Sequence, residues 1–169
     1  TYDELKIGDS AELKRLITFR RINLLDASWP VQGPLDAIFC RNVMIYFDKQ
    51  TQYGILKKFV PLLREDDLVW VHDYHLIPLA TALRALGFKG RIGFFLHIPF
   101  VPPSVLEALP PARGVMEALC DYDVVGFQTR THLQDFLDCA RRFSGFAVEG
   151  EEVVTRGRRV RAIADPIGI

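Results

Sequence analysis

Cysteine is scarce in this sequence. Cys40, Cys120 and Cys139 are odd in number and show no Cys-x-x-Cys spacing, which argues against a disulfide framework and a structural zinc. All three sit in apolar surroundings and are expected to be buried free thiols of a reducing, cytoplasmic compartment. Net charge is lacking as well. Lys plus Arg and Asp plus Glu each number 21, so no global field points to nucleic acid or to an anionic membrane surface. Apolar runs break well short of the roughly 18 residues a membrane span needs, and no signal peptide is read. Internal repeats, heptads and low-complexity tracts are missing too. A first residue of Thr rather than Met is expected of a piece of a longer chain.

What is present is ordinary in amount and informative in order. The 169 residues, 49% of them hydrophobic, can build one domain with a sizeable core and are short for two. Strand-like and helix-like segments alternate, the pattern of a mainly parallel sheet. Ile17 to Arg21 and Asp36 to Cys40 (DAIFC) are strand candidates. Asp48 can cap a helix with Ile55, Leu56, Phe59 and Leu63 on one face, which Pro61 should end. Leu68 to His72 (LVWVH) reads as a buried strand. Leu76 to Leu86 follows as a helix that Gly87 stops. Arg91 to His97 is a further strand, and the stretch from Pro99 to Pro103 is a loop entering a short helix. Val115 to Cys120 is helical and Tyr122 to Phe127 a strand. Thr131 with Gln134 forms a capping box for a helix that buries Leu133, Phe136, Leu137 and Ala140. Phe146 to Thr155 and Arg158 to Ile163 read as a hairpin or two short strands around Arg156-Gly157. The fold class is α/β, Rossmann-like, with a mainly parallel sheet, helices on both faces and function at the carboxyl ends of strands.

Two of those ends carry polar groups at high density. His72-Asp73-Tyr74-His75 follows one strand and His97 ends the other. In a parallel sheet both open onto one edge, so Asp73 and His97 can face one cleft. A carboxylate accepts hydrogen bonds from sugar hydroxyls, and an imidazole both donates and accepts, which suits polyol recognition. His72 and His75 also have a spacing compatible with metal binding, but no third ligand is evident. His97 could equally be a structural histidine.

The blocks WVHDYHLIPLATALRALG, RIGFFLHIPFVPPSVLEALP, LCDYDVVGFQT and DPIGI, in this order, resemble the trehalose-6-phosphate synthases, glycosyltransferase family 20. The resemblance runs from about Arg64 to Ile169. It implies part of the amino-terminal domain of a GT-B enzyme that transfers glucose, with retention, from UDP-glucose to glucose 6-phosphate. On this resemblance Asp73 would recognise sugar hydroxyls near the acceptor, and His97 would contact the donor glucose near the reacting centre. The implied partners are a sugar phosphate and a nucleotide sugar, and no metal is required, because basic side chains and helix N-termini can stabilise the leaving diphosphate. Val101-Pro102-Pro103 and Asp165 depart from the family's usual residues. The family's glycine-rich loop, its acceptor-phosphate contacts and its nucleotide-sugar domain are not matched.

Residues 1 to 64 carry other motifs. ITFRRINLLD, GPLDAIFCRNVMIYFDKQTQ and ILKKFVPLLR resemble the carboxyl-terminal part of CheR-type chemotaxis methyltransferases, which use S-adenosylmethionine to methylate glutamates. That resemblance implies Asn23 and Leu24 beside the adenosine, Arg41 and Asn42 near the methionine portion, and Tyr46 towards the substrate. The upstream glycine-rich loop of that family is also not matched.

The expectation is therefore a CheR-like segment, 1–64, joined to a trehalose-6-phosphate synthase-like segment, 65–169, in one continuous α/β domain. The join is expected to preserve a right-handed βαβ crossover, with Asp36–Cys40, Leu68–His72 and Arg91–Leu96 in one sheet. Three functions compete. One is a glucosyltransferase part, inactive by itself. The second is an S-adenosylmethionine-dependent methyltransferase part, and the third an inert Rossmann chimera. Self-association is plausible through an unpaired apolar sheet edge.

Overall fold

The computed structural model describes residues 15–155 and 157–167. Two compact units divide between Val31 and Gln32. Among the described residues of the first, Asn23 caps its own turn. Its Oδ1 accepts from Leu25 N at 3.1 Å and its Nδ2 donates to Asp26 at 2.9 Å. The strand expected at Ile17–Arg21 is not formed.

The second unit is an α/β sheet. Helix α1 (Lys49–Phe59) leads into β1 (Leu68–His72), and α2 (Leu79–Ala85) into β2 (Arg91–Leu96). Two helices, α3 (Pro103–Leu106) and α4 (Ala112–Leu119), precede β3 (Val124–Phe127). Then come α5 (Arg130–Cys139), β4 (Ala147–Glu149), β5 (Glu152–Val154) and β6 (Arg159–Ala164). The sheet order is β1-β2-β3-β6-β5-β4, parallel from β1 to β6 and antiparallel beyond. This is the expected α/β class with a mainly parallel sheet.

Local chemistry explains most boundaries. Asp48 caps α1, accepting from Thr51 N at 2.8 Å, and that bond holds its carboxyl below the usual range. Pro61 sits in a 3-10 turn, Val60–Leu62, that ends the helix. Gly87 stops the chain after α2 at φ +85, a conformation costly for any residue with a Cβ. The cap of α5 is Thr129, which accepts from His132 N at 3.2 Å. It is not Thr131; Gln134 instead bonds Asp138 one turn on. The hairpin expected after Phe146 has three strands, because the chain turns at Gly150 (φ +59) as well as after Val154. Arg156 of the expected turn lies outside the described residues, as do Gly168 and Ile169 of DPIGI.

The two faces of the sheet are unequally covered. Register places Val71, Phe94, Val125 and Ala162 in one row, and all four are buried. Three successive parallel steps, β1 to β2 to β3 to β6, advance in one direction, so right-handed crossovers put their helices over this same row. Phe94 packs on Tyr122, whose hydroxyl donates to Leu76 O at 2.9 Å. The opposite row is flatter. The Trp70 ring lies over Gly93 and the Phe95 ring over Gly126, where a Cβ would meet ring carbons at 2.3 and 2.6 Å. Leu68 and Trp70, on the edge strand, remain exposed at 62% and 44%.

A polar clamp ties the crossovers together at the amino ends of the strands. Arg84 donates to Phe88 O, Gly90 O and the Asp123 carboxylate, and the same carboxylate oxygen accepts from Ile92 N at 2.7 Å.

Asp36–Cys40 is not a strand, and so the crossover expected across the join is not present. A strand needs a neighbour for its N–H and C=O groups. Here Leu35 N donates to Leu62 O, and Arg64 donates to Leu35 O and to the Asp36 carboxylate. These bonds hold the segment against the end of α1 rather than beside β1. Phe39 is left 87% exposed. Cys40 is exposed too, contrary to expectation, whereas Cys120 and Cys139 are buried.

Candidate functional site

His72 pairs with Phe95 in the register of β1 and β2, so the carboxyl ends of these strands lie side by side. Asp73 is the first residue past β1. Its N–H still bonds Phe95 O, at 2.9 Å, while its backbone turns to φ 70, ψ 157. That region is essentially reserved for glycine, and a side chain there costs about 1–3 kcal/mol. The bond to β2 holds it on one side. On the other is a 3-10 turn, Tyr74–Leu76, whose first N–H donates to Asp73 Oδ1 at 3.1 Å. The strain is retained at a strand end, on a half-buried residue that carries a carboxylate.

His97 lies two residues past the Phe95 partner of His72. The two imidazoles meet, His72 Nδ1 to His97 Nε2 at 2.9 Å, with ring centroids 5.1 Å apart. One ring donates and the other accepts, so the pair shares a single proton between them. His97 Nδ1 and His72 Nε2 are the nitrogens this pairing leaves over. Phe95 meets His97 edge-on, and Trp70 meets His72 likewise. Burial, His97 and Arg41 all hold His72 below its ordinary pKa, against the opposing pull of Asp73. The edge therefore brings together a carboxylate, two hydrogen-bonded imidazoles and aromatic rings, groups that can accept and donate hydrogen bonds.

The other singled-out residues fall in different places. Asn23 and Leu24 belong to the unit ending at Val31, and the amide of Asn23 is used by its own turn. Arg41, Asn42 (φ 54) and the exposed Tyr46 belong to the other unit. Arg41 reaches the electrostatic neighbourhood of His72, a placement that neither motif indicated. Lys49 Nζ donates to His75 O at 3.1 Å. The contact between the two histidines was also unforeseen, since the register of β1 on β2 is not written in either strand. Among the described residues no group of three or more His, Cys, Asp or Glu side chains could hold a metal, and no helix is long and apolar enough to cross a membrane.

A groove of about 800 Å³ opens elsewhere, between α2 and α4, lined among others by Thr81, Ala85, Gly114, Asp121 and Arg158. Its polar groups satisfy one another. Thr81 donates to the Asp121 carboxylate at 2.6 Å, and Arg158 donates to Asp121 O at 2.6 Å. Because Asp121 and Arg158 precede β3 and β6, it lies at the amino ends of the strands, away from Asp73 and His97.

The segment carrying this edge matches the model of Glycosyltransferase family 20 over residues 46–169. The chain belongs to that family. It is 46% identical to the trehalose-6-phosphate synthase of Escherichia coli over 149 residues, which cover 83% of this chain and 30% of that protein. It is also similar to a solved α,α-trehalose-phosphate synthase (UDP-forming) from Burkholderia xenovorans in complex with glucose-6-phosphate. There the identity is 47% and the TM-score 0.63, covering 73% of this chain and 29% of the other. A third similar structure, from E. coli and bound with UDP-2-fluoro glucose, gives 40% identity and a TM-score of 0.64, with 73% and 29% covered. The chain thus spans about 30% of the length of the relatives it matches. A second model, the S-adenosylmethionine-binding domain of CheR methyltransferase, matches residues 3–81. The two matches overlap between residues 46 and 81.

Proposed function

We propose that these residues form the acceptor-side part of a retaining glucosyltransferase site, of the kind that joins the glucose of UDP-glucose to glucose 6-phosphate. Asp73 accepts hydrogen bonds from sugar hydroxyls. His97, oriented through His72, offers its remaining nitrogen towards the donor glucose. The observation that carries the reading is the strained Asp73 beside the His72–His97 pair, on an edge whose relatives are trehalose-6-phosphate synthases. Neither a metal nor S-adenosylmethionine enters this chemistry. In this reading the contacts to the UDP moiety are not made by these 169 residues, so by themselves they bind sugar phosphate without turning it over. The setting is cytoplasmic, and the exposed edge of β1 favours self-association.

The CheR match favours a second reading of the upstream part, as a methyltransferase-derived segment meeting the family 20 segment near Arg64–Glu65. With Asp36–Cys40 outside the sheet, such a join is a change of family inside one packed unit rather than a splice between two strands. An inert chimera is the limit of this reading.

Titration calorimetry separates them. Glucose 6-phosphate is expected to bind the chain, and Asp73→Asn and His97→Ala are each expected to weaken it about tenfold or more, the scale of one or two lost hydrogen bonds to a charged or polar partner. Tight binding of S-adenosylhomocysteine, with none of glucose 6-phosphate, would reverse the ranking. Trehalose 6-phosphate formation by these residues would end the inert reading.

A further inference from the structure

His97 stands on a short arch of chain. Leu96 closes β2 and is buried, His97, Ile98 and Pro99 are all exposed, and Phe100 is buried again. Both feet of the arch rest on one residue. Leu96 pairs with Phe127 in the register of β2 on β3, and the Phe100 ring meets the Phe127 ring edge-on, with centroids 5.6 Å apart. Phe136 of α5 completes the seat, edge-on to Phe100 at 5.7 Å and tilted against Phe127 at 5.2 Å. Phe127 and Phe136 are themselves buried, so the seat is part of the core. Just beyond it the Cys139 thiol donates to Val101 O at 3.6 Å. Burial pushes that thiol up to about 12, so it keeps the proton it donates.

The arch is also stiff. Proline fixes its own φ and confines the residue before it to extended backbone, so Pro99 restricts both itself and Ile98. With two restricted residues between them, a shift of Phe100 is passed on to His97. From the other side the sheet lets go early, since β2 ends at Leu96. Small shifts matter here. His97 Nε2 and His72 Nδ1 lie 2.9 Å apart, and a hydrogen bond weakens steeply once its geometry is lost. Phe95, edge-on to His97, offers a wall but no such bond.

We propose that Phe100 is a positioning residue: seated between Phe127 and Phe136, it fixes the arch and so holds the His97 imidazole against His72. Edge-on rings prefer defined orientations that an aliphatic side chain does not reproduce. The inference deepens the reading of this edge as a sugar site, and rests on that reading only for its consequence in binding.

The test compares F100L and P99G with a control, F88L. Phe88 is as buried as Phe100, 6% against 7%, but precedes β2 and so lies at the opposite ends of the strands. Pro99 is exposed, so P99G loosens the arch without opening the core, and it decides the matter should F100L fail to fold. The readout is the NMR scalar coupling between His72 Nδ1 and His97 Nε2, which exists only across a formed hydrogen bond, at a pH where both rings are neutral. The coupling should be present in the wild-type chain and in F88L, and lost in F100L and P99G. In calorimetry F100L and P99G should weaken glucose 6-phosphate binding by up to about tenfold, the scale of the bonds that His97 offers, and F88L should not. A coupling that survives in either arch variant overturns the proposal, as does its absence from the wild-type chain. Its loss in F88L also overturns it, by assigning the effect to general loosening of the core. If glucose 6-phosphate binds none of these proteins while the coupling follows the expected pattern, the sugar reading falls and the positioning role stands.

Discussion

DAIFC at Asp36–Cys40 and LVWVH at Leu68–His72 look alike in the sequence, and the molecule treats them oppositely. Both are short, largely apolar runs followed by polar residues. The second pairs along its whole length with β2 and buries Val71. The first has no strand beside it, is held at its start by bonds from Leu35 N to Leu62 O and from Arg64 to Leu35 O and the Asp36 carboxylate, and leaves Phe39 in solvent. A run of five residues states a preference, but the neighbour decides. The same contrast separates the two segments at large. The helices and strands after Leu68 support one another through buried rows and the Arg84–Asp123 clamp, while among the described residues before Asp48 Met44 is the one buried hydrophobic side chain.

The largest expected effect tests that contrast with one residue type. Phe94→Ala should destabilise the protein by about 3–5 kcal/mol, because a fully buried ring leaves a cavity beside Tyr122. Phe39→Ala should change stability by no more than about 0.5 kcal/mol, as expected for a side chain in water. Urea denaturation of both variants measures the difference. A cost at Phe39 comparable to that at Phe94 would show that the upstream segment packs more tightly than described.

A smaller effect compares the two non-glycine residues with positive φ among the described residues. Asn42, in the upstream part, has φ 54, a left-handed conformation that asparagine tolerates. Asn42→Gly should therefore shift stability by only about 0.5 kcal/mol. Asp73 occupies a region nearly closed to side chains. Asp73→Gly should relieve that strain, lose the cap on Tyr74, and still leave the protein about 1 kcal/mol more stable than Asp73→Ala, which keeps the strain without the cap. Both Asp73 variants should lose glucose 6-phosphate binding. Equal stability of Asp73→Gly and Asp73→Ala would mean the backbone is not strained there, and with it would go the strongest local sign of function.

Much of this was legible beforehand, for reasons that particular residues make plain. Strand ends are marked by abrupt polarity, so Asp73 and His97 could be placed on one edge from LVWVHDYH and RIGFFLH alone. Caps with one candidate, such as Asp48 and Gly87, were equally readable. Where two hydroxyls compete, as Thr129 and Thr131 do, the choice depends on where β3 releases the chain, which is a tertiary fact. The His72–His97 contact required the register of two strands, and the Arg84–Asp123 clamp required three elements to converge. Arg41, which its motif resemblance places near a cofactor, also acts on a histidine from another block. Motif resemblance carries the neighbours that a residue had in its own family, and those neighbours are not guaranteed here.

The finest expected effect concerns that last pairing and is a matter of pH. Burial, His97 and Arg41 lower the folded-state pKa of His72 below the ordinary 6.5. As pH falls past that value, the unfolded chain takes up the proton first, so the folded state loses stability. The loss should begin near pH 6.5, continue down to the lowered pKa of folded His72, and then level off. His72→Gln should remove this component, which is read as the difference between wild-type and variant denaturation midpoints at several pH values between 7.5 and 5. Arg41→Gln removes one of the depressing charges, so it should raise the folded pKa towards 6.5 and narrow the window without closing it, since burial and His97 remain. If Arg41→Gln leaves the window unchanged, the upstream segment does not act on the imidazole pair, and the two segments are joined by packing alone.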